Sequence, residues 1–428
     1  MPSHKKKTKL VAAFWRAAFS CHLTSCGVLV KMRTKQEQIM SLVKEHVIAL
    51  VDCDCFFVSC ERVDNPKLNG KPVCVTTGAT SKGIVVSRSK EAKALGIKMG
   101  QPMFQLDGKY PTCHYIPARH ERYAEISKQI MDVLRDFTPD VEEVSVDEAY
   151  MDLTGMSKFY NLTYTNLIKK IRQTVLEKTK VPVSIGLSTS KTLAKLASDK
   201  AKKTGGIFVI QPSKIREILK DVDLEEVCGI NHRTANNFWQ KGITSIDEFL
   251  DKDPNWVRKA FGINGERLRY ELAGVCVSPV SSIEEAPQSI QDTRALEDFT
   301  DSLEVLESTL SYHIHRASRR LRKWDGYCGT LGVMLRTKDF HVIEAHAKLD
   351  KETNSEQTLL RTAHQLMKQI YKPRTLYRST GVSLMDLAFG KEQQQSLFEK
   401  AEREDDKMSH IIDDLEKKFG KQVVKVGM

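Results

Sequence analysis

Two short acidic clusters lie 95 positions apart, each at the end of a hydrophobic run. The first is Asp52 and Asp54, in Val-Ile-Ala-Leu-Val-Asp-Cys-Asp-Cys-Phe-Phe (47–57). The second is Asp147 and Glu148, in Ser-Val-Asp-Glu-Ala-Tyr-Met-Asp-Leu (145–153). Runs of this kind read as buried strands. A carboxylate at the end of a buried strand is unfavourable unless something pairs with it. Two such strands side by side gather three or four carboxylates, and their mutual repulsion favours a divalent cation. Hard oxygen donors with an open side suit Mg2+, which commonly completes its shell with substrate phosphates. Either cluster alone reads more simply as a helix cap or a solvent-facing strand end. The residues that flank the pair change that reading.

The rest of the chain alternates strands and helices. Residues 46–58 read as a first strand, on which Cys53 and Cys55 would share a face opposite Asp52 and Asp54. Short strands follow at 73–75 and 84–87, with a helix at 89–95 and punctuation at Gly96 and Gly100-Gln101-Pro102. Residues 119–137 read as a helix, a strand pair surrounds 141–154, and a second helix covers 162–179. Strand 181–187, helix 190–202 and strand 207–210 complete the series. Strand, helix, strand, strand, helix, strand is a ferredoxin-like order. Residues 213–275 are helical, with Thr244 or Ser245 capping a helix at 246–251. Residues 276–290 are rich in Pro and Ser and read as a linker. Beyond it, a helix at 301–323 and period-two strands near 328–336, 340–347 and 378–386 form a separate α+β unit.

The 428 residues suffice for two to four domains. Eight of the eleven net positive charges come from residues 1–36, which hold no acid, so the body is only mildly basic. Local clusters are therefore better evidence for DNA than overall charge. One is Lys191, Lys195, Lys200, Lys202 and Lys203; another is Arg316, Arg319, Arg320, Arg322 and Lys323. The ten cysteines form no C-x-x-C pair and read as small buried residues, so nothing demands an oxidising compartment. No segment has the apolar length to span a membrane. The basic extension 1–45 fits a disordered arm, a targeting signal, or an upstream start with Met32 or Met40 as the true first residue. The arm and the upstream start are the favoured readings.

Val-Asp-x-Asp-x-Phe-Phe followed by Glu61, with the later Ser-Val-Asp-Glu-Ala-Tyr-Met-Asp-Leu, resembles the two catalytic motifs of Y-family (translesion) DNA polymerases, the bacterial DinB and UmuC type above all. The resemblance runs from about 46 to about 398. It implies an α+β multidomain fold: a right-hand polymerase with a ferredoxin-like palm (46–65 and 115–212) and small fingers (66–114). A helical helix-hairpin-helix thumb (213–275), the linker (276–290) and an α+β little finger (291–390) would follow, then a tail (391–428). The implied activity is template-directed, low-fidelity extension of a primer past damaged bases, with two Mg2+ ions per site and without proofreading.

By the same resemblance, Asp52, Asp147 and Glu148 would be catalytic metal ligands, joined by the backbone carbonyl of Cys53; Asp54 is left as either ligand or structural. Phe57 matches the steric gate against a 2′-OH. Lys195 matches a triphosphate lysine. Lys90 and Lys93 stand where many members carry Tyr and Arg, and Arg88 lies near the nascent pair. Gly229 and Asn231 resemble one half of a helix-hairpin-helix, whose usual second glycine is replaced by Asn231, a residue that tolerates a left-handed turn. Arg316, Arg319, Arg320 and Arg378 would grip DNA. Gln394, Ser396, Leu397 and Phe398, in Gln-Gln-Ser-Leu-Phe, resemble the bacterial sliding-clamp peptide.

The expected partners are primer-template DNA, dNTPs, the sliding clamp and possible accessory subunits, in a bacterial cytoplasm near the nucleoid. A nucleotidyl cyclase shares the palm and its two aspartates but has no use for the hairpin or the clamp peptide. A non-catalytic DNA- and clamp-binding scaffold would have no use for the intact carboxylates.

Overall fold

The computed structural model describes residues 46–78 and 83–390, with 411, 414, 415 and 418 in the tail. The extension 1–45 and the peptide 394–398 lie outside the described residues. The chain divides into two compact units, 1–282 and 283–428.

Unit 1 is built on β1 (Ile48–Cys53), in which every residue is buried. Ala49, Val51 and Cys53 face the main core, whereas Ile48 and Leu50 face a second cluster with Ala194. Burial on both faces accounts for the unbroken apolar run. Alternation along the strand puts Asp52 on the Ile48 and Leu50 face. The strand ends at Cys53 rather than at 58. Cys55 takes a left-handed φ of 48° and starts α1 (Phe56–Asp64). Cys55 is thus a half-buried turn residue that shares no strand face with Cys53. Asp54 also lies in this turn, where its carboxylate accepts from Ser184 Oγ at 2.8 Å.

An inserted subdomain follows: β2 (Val73–Thr76), β3 (Val85–Arg88), α2 (Lys90–Ala94) and β4 (His114–Pro117). Its sheet has the order β3-β2-β4, around a small core of Cys74, Val85, Ala92, Ile97, Leu106 and Cys113. Arg62 on α1 pairs with Glu91 on α2 at 2.9 Å and ties this insert to the larger sheet.

The chain then forms α3 (His120–Arg135), the hairpin β5 (Val141–Glu143) and β6 (Glu148–Asp152), α4 (Met156–Tyr160), α5 (Tyr164–Thr179), β7 (Val183–Ser188), α6 (Lys191–Ala201) and β8 (Ile207–Val209). The sheet order is β5-β6-β1-β7-β8. Up to β7 this is the expected ferredoxin-like βαββαβ arrangement; α6 and β8 add a fifth strand parallel to β7. The helix α6 lies directly on β7 because position 186 is glycine. A Cβ there would overlap the backbone of Ala194, Ala197 and Ser198.

Four helices complete unit 1: α7 (Ile215–Leu219), α8 (His232–Gln240), α9 (Ile246–Asp251) and α10 (Pro254–Leu272), the last broken at Gly262. Of the two expected caps for α9, Ser245 takes the role, and Glu248 folds back onto the Thr244 N–H at 2.7 Å. Glu271, buried near the end of α10, accepts from the N–H groups of Thr192 (3.2 Å) and Val277 (2.9 Å). Ser190 Oγ donates to the Glu271 carbonyl at 2.7 Å. These bonds fix the start of α6.

Unit 2 contains β9 (Ile290–Thr300), α11 (Leu303–Arg322), β10 (Gly326–Thr337), β11 (Val342–Thr353), α12 (Glu356–Ile370) and β12 (Tyr377–Phe389). Its antiparallel sheet has the order β11-β10-β12-β9. The three expected strands and the long helix are present, but β9 and α12 are additions to the sequence reading. Leu331, Val333, Leu335, Val382 and Leu384 share one core with Leu306, Leu310 and Ile314 of α11 and Leu359 and Leu366 of α12. The alternate pairs Gly332 with Ser383, Met334 with Gly381, and Arg336 with Ser379 belong to the opposite face.

Gly186→Ala should force α6 off β7 and cost about 2–3 kcal/mol, as overpacking of a tight core contact does. Urea unfolding of the variant beside the wild type measures the loss, and an unchanged midpoint would contradict the close approach.

Candidate active site

Asp52 and Glu148 are partners across the antiparallel β1–β6 ladder. Asp147 precedes β6, and its carbonyl accepts from the Cys53 N–H at 2.8 Å. The two acidic motifs are therefore locked together through their backbones. Asp52 is 6% exposed, with Asp147 and Glu148 half-buried. The Asp147 carboxylate accepts from Ser145 Oγ. Cys53 contributes no thiolate: burial first, then the nearby Asp147 and Asp52, pushes its thiol well above the ordinary value.

The charge of these carboxylates is met from α6. Lys195 Nζ lies 3.0 Å from Asp52 and 2.6 Å from Glu148. Lys202 Nζ approaches Asp52 at 2.7 Å. Burial alone would lower the pKa of both lysines; their bonds to the carboxylates outweigh it and hold both above the ordinary value. The expected triphosphate lysine thus sits on the metal-type carboxylates, and Lys202, expected only as part of a basic cluster, joins it. Helical spacing carried this signal, because positions 195 and 202 are seven apart and fall on one face.

The remaining lysines of that cluster go elsewhere. Lys191 pairs with Glu142 at 2.6 Å, and Lys200 and Lys203 line a groove with Leu196 and Phe208. Among the described residues, no group of three His, Cys, Asp or Glu is gathered closely enough to hold a metal ion. Two ammonium groups stand among the acids instead. The donor types themselves, Asp52 and Glu148 paired across β1 and β6 with Asp147 just before β6, are the hard oxygens that suit a divalent cation.

Phe57 lies on α1, just past the acidic turn. Its ring stacks on Tyr123 of α3 at 4.5 Å and 16°. Tyr123 is buried, and its hydroxyl donates to Glu61 at 2.6 Å. Glu61 is buried in turn and receives both Nε and Nη2 of Arg119, at 2.9 and 2.7 Å. Phe57 is therefore backed by a ring whose position is set by a charge-assisted fork. The sequence marked Glu61 only as part of a motif.

The other expected residues are more scattered. Lys90 and Lys93 are exposed on α2, and the charge of Lys90 is felt at the Cys55 thiol, where it opposes the upward push of burial and Asp54. Arg88 donates to the Ile97 carbonyl within the insert. Gly229 has a left-handed φ of 94°, as expected of the hairpin turn. Asn231 does not: its φ is −84°, and it caps α8 by accepting from the Thr234 N–H at 2.9 Å. Asparagine replaces glycine there because the position calls for a side-chain oxygen, not a left-handed backbone.

In unit 2, Arg316 pairs with Asp292 at 3.2 Å and Arg320 donates to the Gln291 carbonyl at 3.0 Å, so both are engaged with β9. Arg319 shares the last turn of α11. Arg378 lies over the Phe340 ring at 3.8 Å.

Comparison with known proteins gives a consistent result. Residues 51–199 match the impB/mucB/samB family, and residues 287–397 match the impB/mucB/samB family C-terminal domain. DNA polymerase IV 1 of Halalkalibacterium halodurans is 31% identical over 390 residues, covering 90% of this chain and 93% of the relative. Protein UmuC of Salmonella typhimurium is 32% identical over 393 residues, covering 88% and 92%. Among solved structures, a Y-family DNA polymerase chimera of Dbh and Dpo4 has a TM-score of 0.69 at 27% identity, covering 80% of this chain and 99% of that one. An insertion ternary complex of Dbh DNA polymerase has a TM-score of 0.54 at 28% identity, with 80% and 99% covered.

Glu61→Ala would leave the Tyr123 hydroxyl without its acceptor and Arg119 with one acid fewer. The expected loss is about 2 kcal/mol, less than for a fully buried pair because Arg119 is half-exposed. Chemical denaturation reads it, and a loss near zero would show that Glu61 does not anchor this corner.

Proposed function

The chain belongs to the impB/mucB/samB family of Y-family DNA polymerases, of the bacterial DinB and UmuC type, and we propose how its residues carry out that family's reaction. It is a low-fidelity, translesion DNA-directed DNA polymerase that depends on a divalent metal. No observation favours the non-catalytic scaffold, and the relatives are polymerases rather than cyclases.

The substrates are primer-template DNA and dNTPs. The observation that carries the site assignment is the meeting of Asp52 and Glu148 with Lys195 and, at Asp52, with Lys202 at the end of the central strand, with Asp147 tied to that strand through its backbone. Asp52, Asp147, Glu148 and the Cys53 carbonyl would hold the divalent metal, read here as two Mg2+ ions. Bound there, the metal would neutralise phosphate charge and favour a nucleophilic 3′-oxygen. Lys195 and Lys202 would then exchange the carboxylates for the triphosphate. In the carboxylate-paired state those bonds hold both lysines above their ordinary pKa despite burial. Phe57, backed by Tyr123, would lie beneath the sugar and exclude a 2′-OH by clash. Lys90, Lys93 and Arg88 would approach the nucleotide from the fingers, under a slim roof of Ile84, Val86 and Gly100 that would suit damaged templates.

The turn at Gly229 would present the start of α8 to a DNA phosphate, with the Asn231 side chain capping that helix at the Thr234 N–H. Arg316, Arg319, Arg320 and Arg378 would support DNA from unit 2. Gln394, Ser396, Leu397 and Phe398 would dock on the sliding clamp, and accessory subunits would be further partners. No helix among the described residues is long and apolar enough to cross a membrane. With bacterial relatives, its place of action is read as the cytoplasm, at the nucleoid.

Primer extension with dNTPs and Mg2+ tests the site. Asp147→Ala/Glu148→Ala should lose about a thousandfold or more in rate while still binding primed DNA. Extension near the wild-type rate would remove these residues from the chemistry. Phe57→Ala should relax discrimination against ribonucleotides by about 10–100-fold. Unchanged discrimination would place the gate elsewhere.

A further inference from the structure

Cys74 and Cys113 belong to the insert of unit 1 and play no part in the chemistry above. Cys74 lies in β2, and Cys113 immediately precedes β4, the parallel neighbour of β2. Their sulfurs touch at 3.7 Å. Both residues are buried, Cys74 completely and Cys113 with 8% exposure, so Cys113 lies nearer the edge of this core. Both are free thiols in the small core with Val85, Ala92, Ile97 and Leu106. A covalent bond requires the sulfurs to close to about 2.05 Å. The two strands are already neighbours, so little chain movement stands between contact and bond.

We propose that Cys74 and Cys113 form a peroxide-oxidisable dithiol, a modification site that closes into a disulfide between β2 and the entry to β4. Cys113 is the attacking sulfur. Its thiolate takes the terminal oxygen of hydrogen peroxide, the O–O bond breaks, and hydroxide leaves; Cys113 is now a sulfenic acid. The Cys74 sulfur then attacks the sulfenic sulfur. The S–S bond forms, the S–O bond breaks, and the hydroxyl leaves as water with the Cys74 proton. Two electrons pass from the sulfur pair to one peroxide. The inference stands on the thiol geometry and is independent of the polymerase site.

The full-length chain, freed of reductant, is treated with hydrogen peroxide, alkylated under denaturing conditions and digested without reduction. The expected product is a peptide pair joined through Cys74 and Cys113, about 2 Da lighter than the two thiol peptides together and separated by dithiothreitol. In Cys74→Ser the cross-link is lost and Cys113 accumulates as its sulfenic or sulfinic acid. Recovery of both residues as alkylated thiols while the exposed Cys228 is oxidised would overturn the proposal. So would a cross-link from Cys113 to any other cysteine.

Discussion

A carboxylate at the end of a buried central strand must find positive charge. Asp52 is surrounded by strands on both sides and by a helix above, and few of its directions lead to water. An unpaired charge there is strongly unfavourable, whereas one compensated by cations is tolerated. The fold brings that compensation from α6. Gly186 lets the helix lie on β7, and the bonds of Glu271 and Ser190 hold its first turn. Lys195 and Lys202 then project to the acids from one helical face. The same need explains why the site is chemically poised. Acids whose partners are long ammonium groups could exchange them for another cation, and the lysines so released would remain beside the same carboxylates.

On the other side of the turn the geometry would serve the selection proposed for Phe57 rather than charge. The left-handed Cys55 reverses the chain at once after β1, so Phe57 comes within a few residues of Asp52. Its ring rests on Tyr123, and Tyr123 rests on Glu61 and Arg119. A ring that must exclude a hydroxyl by clash works only if it cannot yield. The buried acid and its two donors make it unyielding.

Much of this was legible in the sequence because burial leaves a plain mark. The unbroken run 47–51, the alternating 148–152 and the helical periods at 120–135 and 164–179 gave the ferredoxin-like order. What escaped has physical reasons. The edge strand β9 reads Gln-Asp-Thr-Arg-Ala-Leu-Glu-Asp and is exposed along most of its length, so it has no apolar alternation to detect. The end of β1 is set by Cys55, and no residue-type preference announces a left-handed cysteine. The helix α12 carried a readable signal in Leu359, Ala363, Leu366 and Ile370 behind the cap Ser355, yet the sequence reading placed no element there. Asn231 was correctly placed at a turn for the wrong reason, since its side chain rather than its backbone is what the turn uses. Lys202 and the Tyr123–Glu61–Arg119 support depend on contacts across 58 to 150 residues of chain, which local pattern cannot supply.

The most direct test of this compensation is the thermal stability of Lys195→Met/Lys202→Met, measured in EDTA and again with excess Mg2+. If the two ammonium groups are what make the acidic strand ends tolerable, the variant unfolds well below the wild type in EDTA and regains much of the difference when Mg2+ is added. A variant as stable as the wild type in EDTA, or one that Mg2+ leaves unchanged, contradicts the exchange of lysine for metal at Asp52 and Glu148.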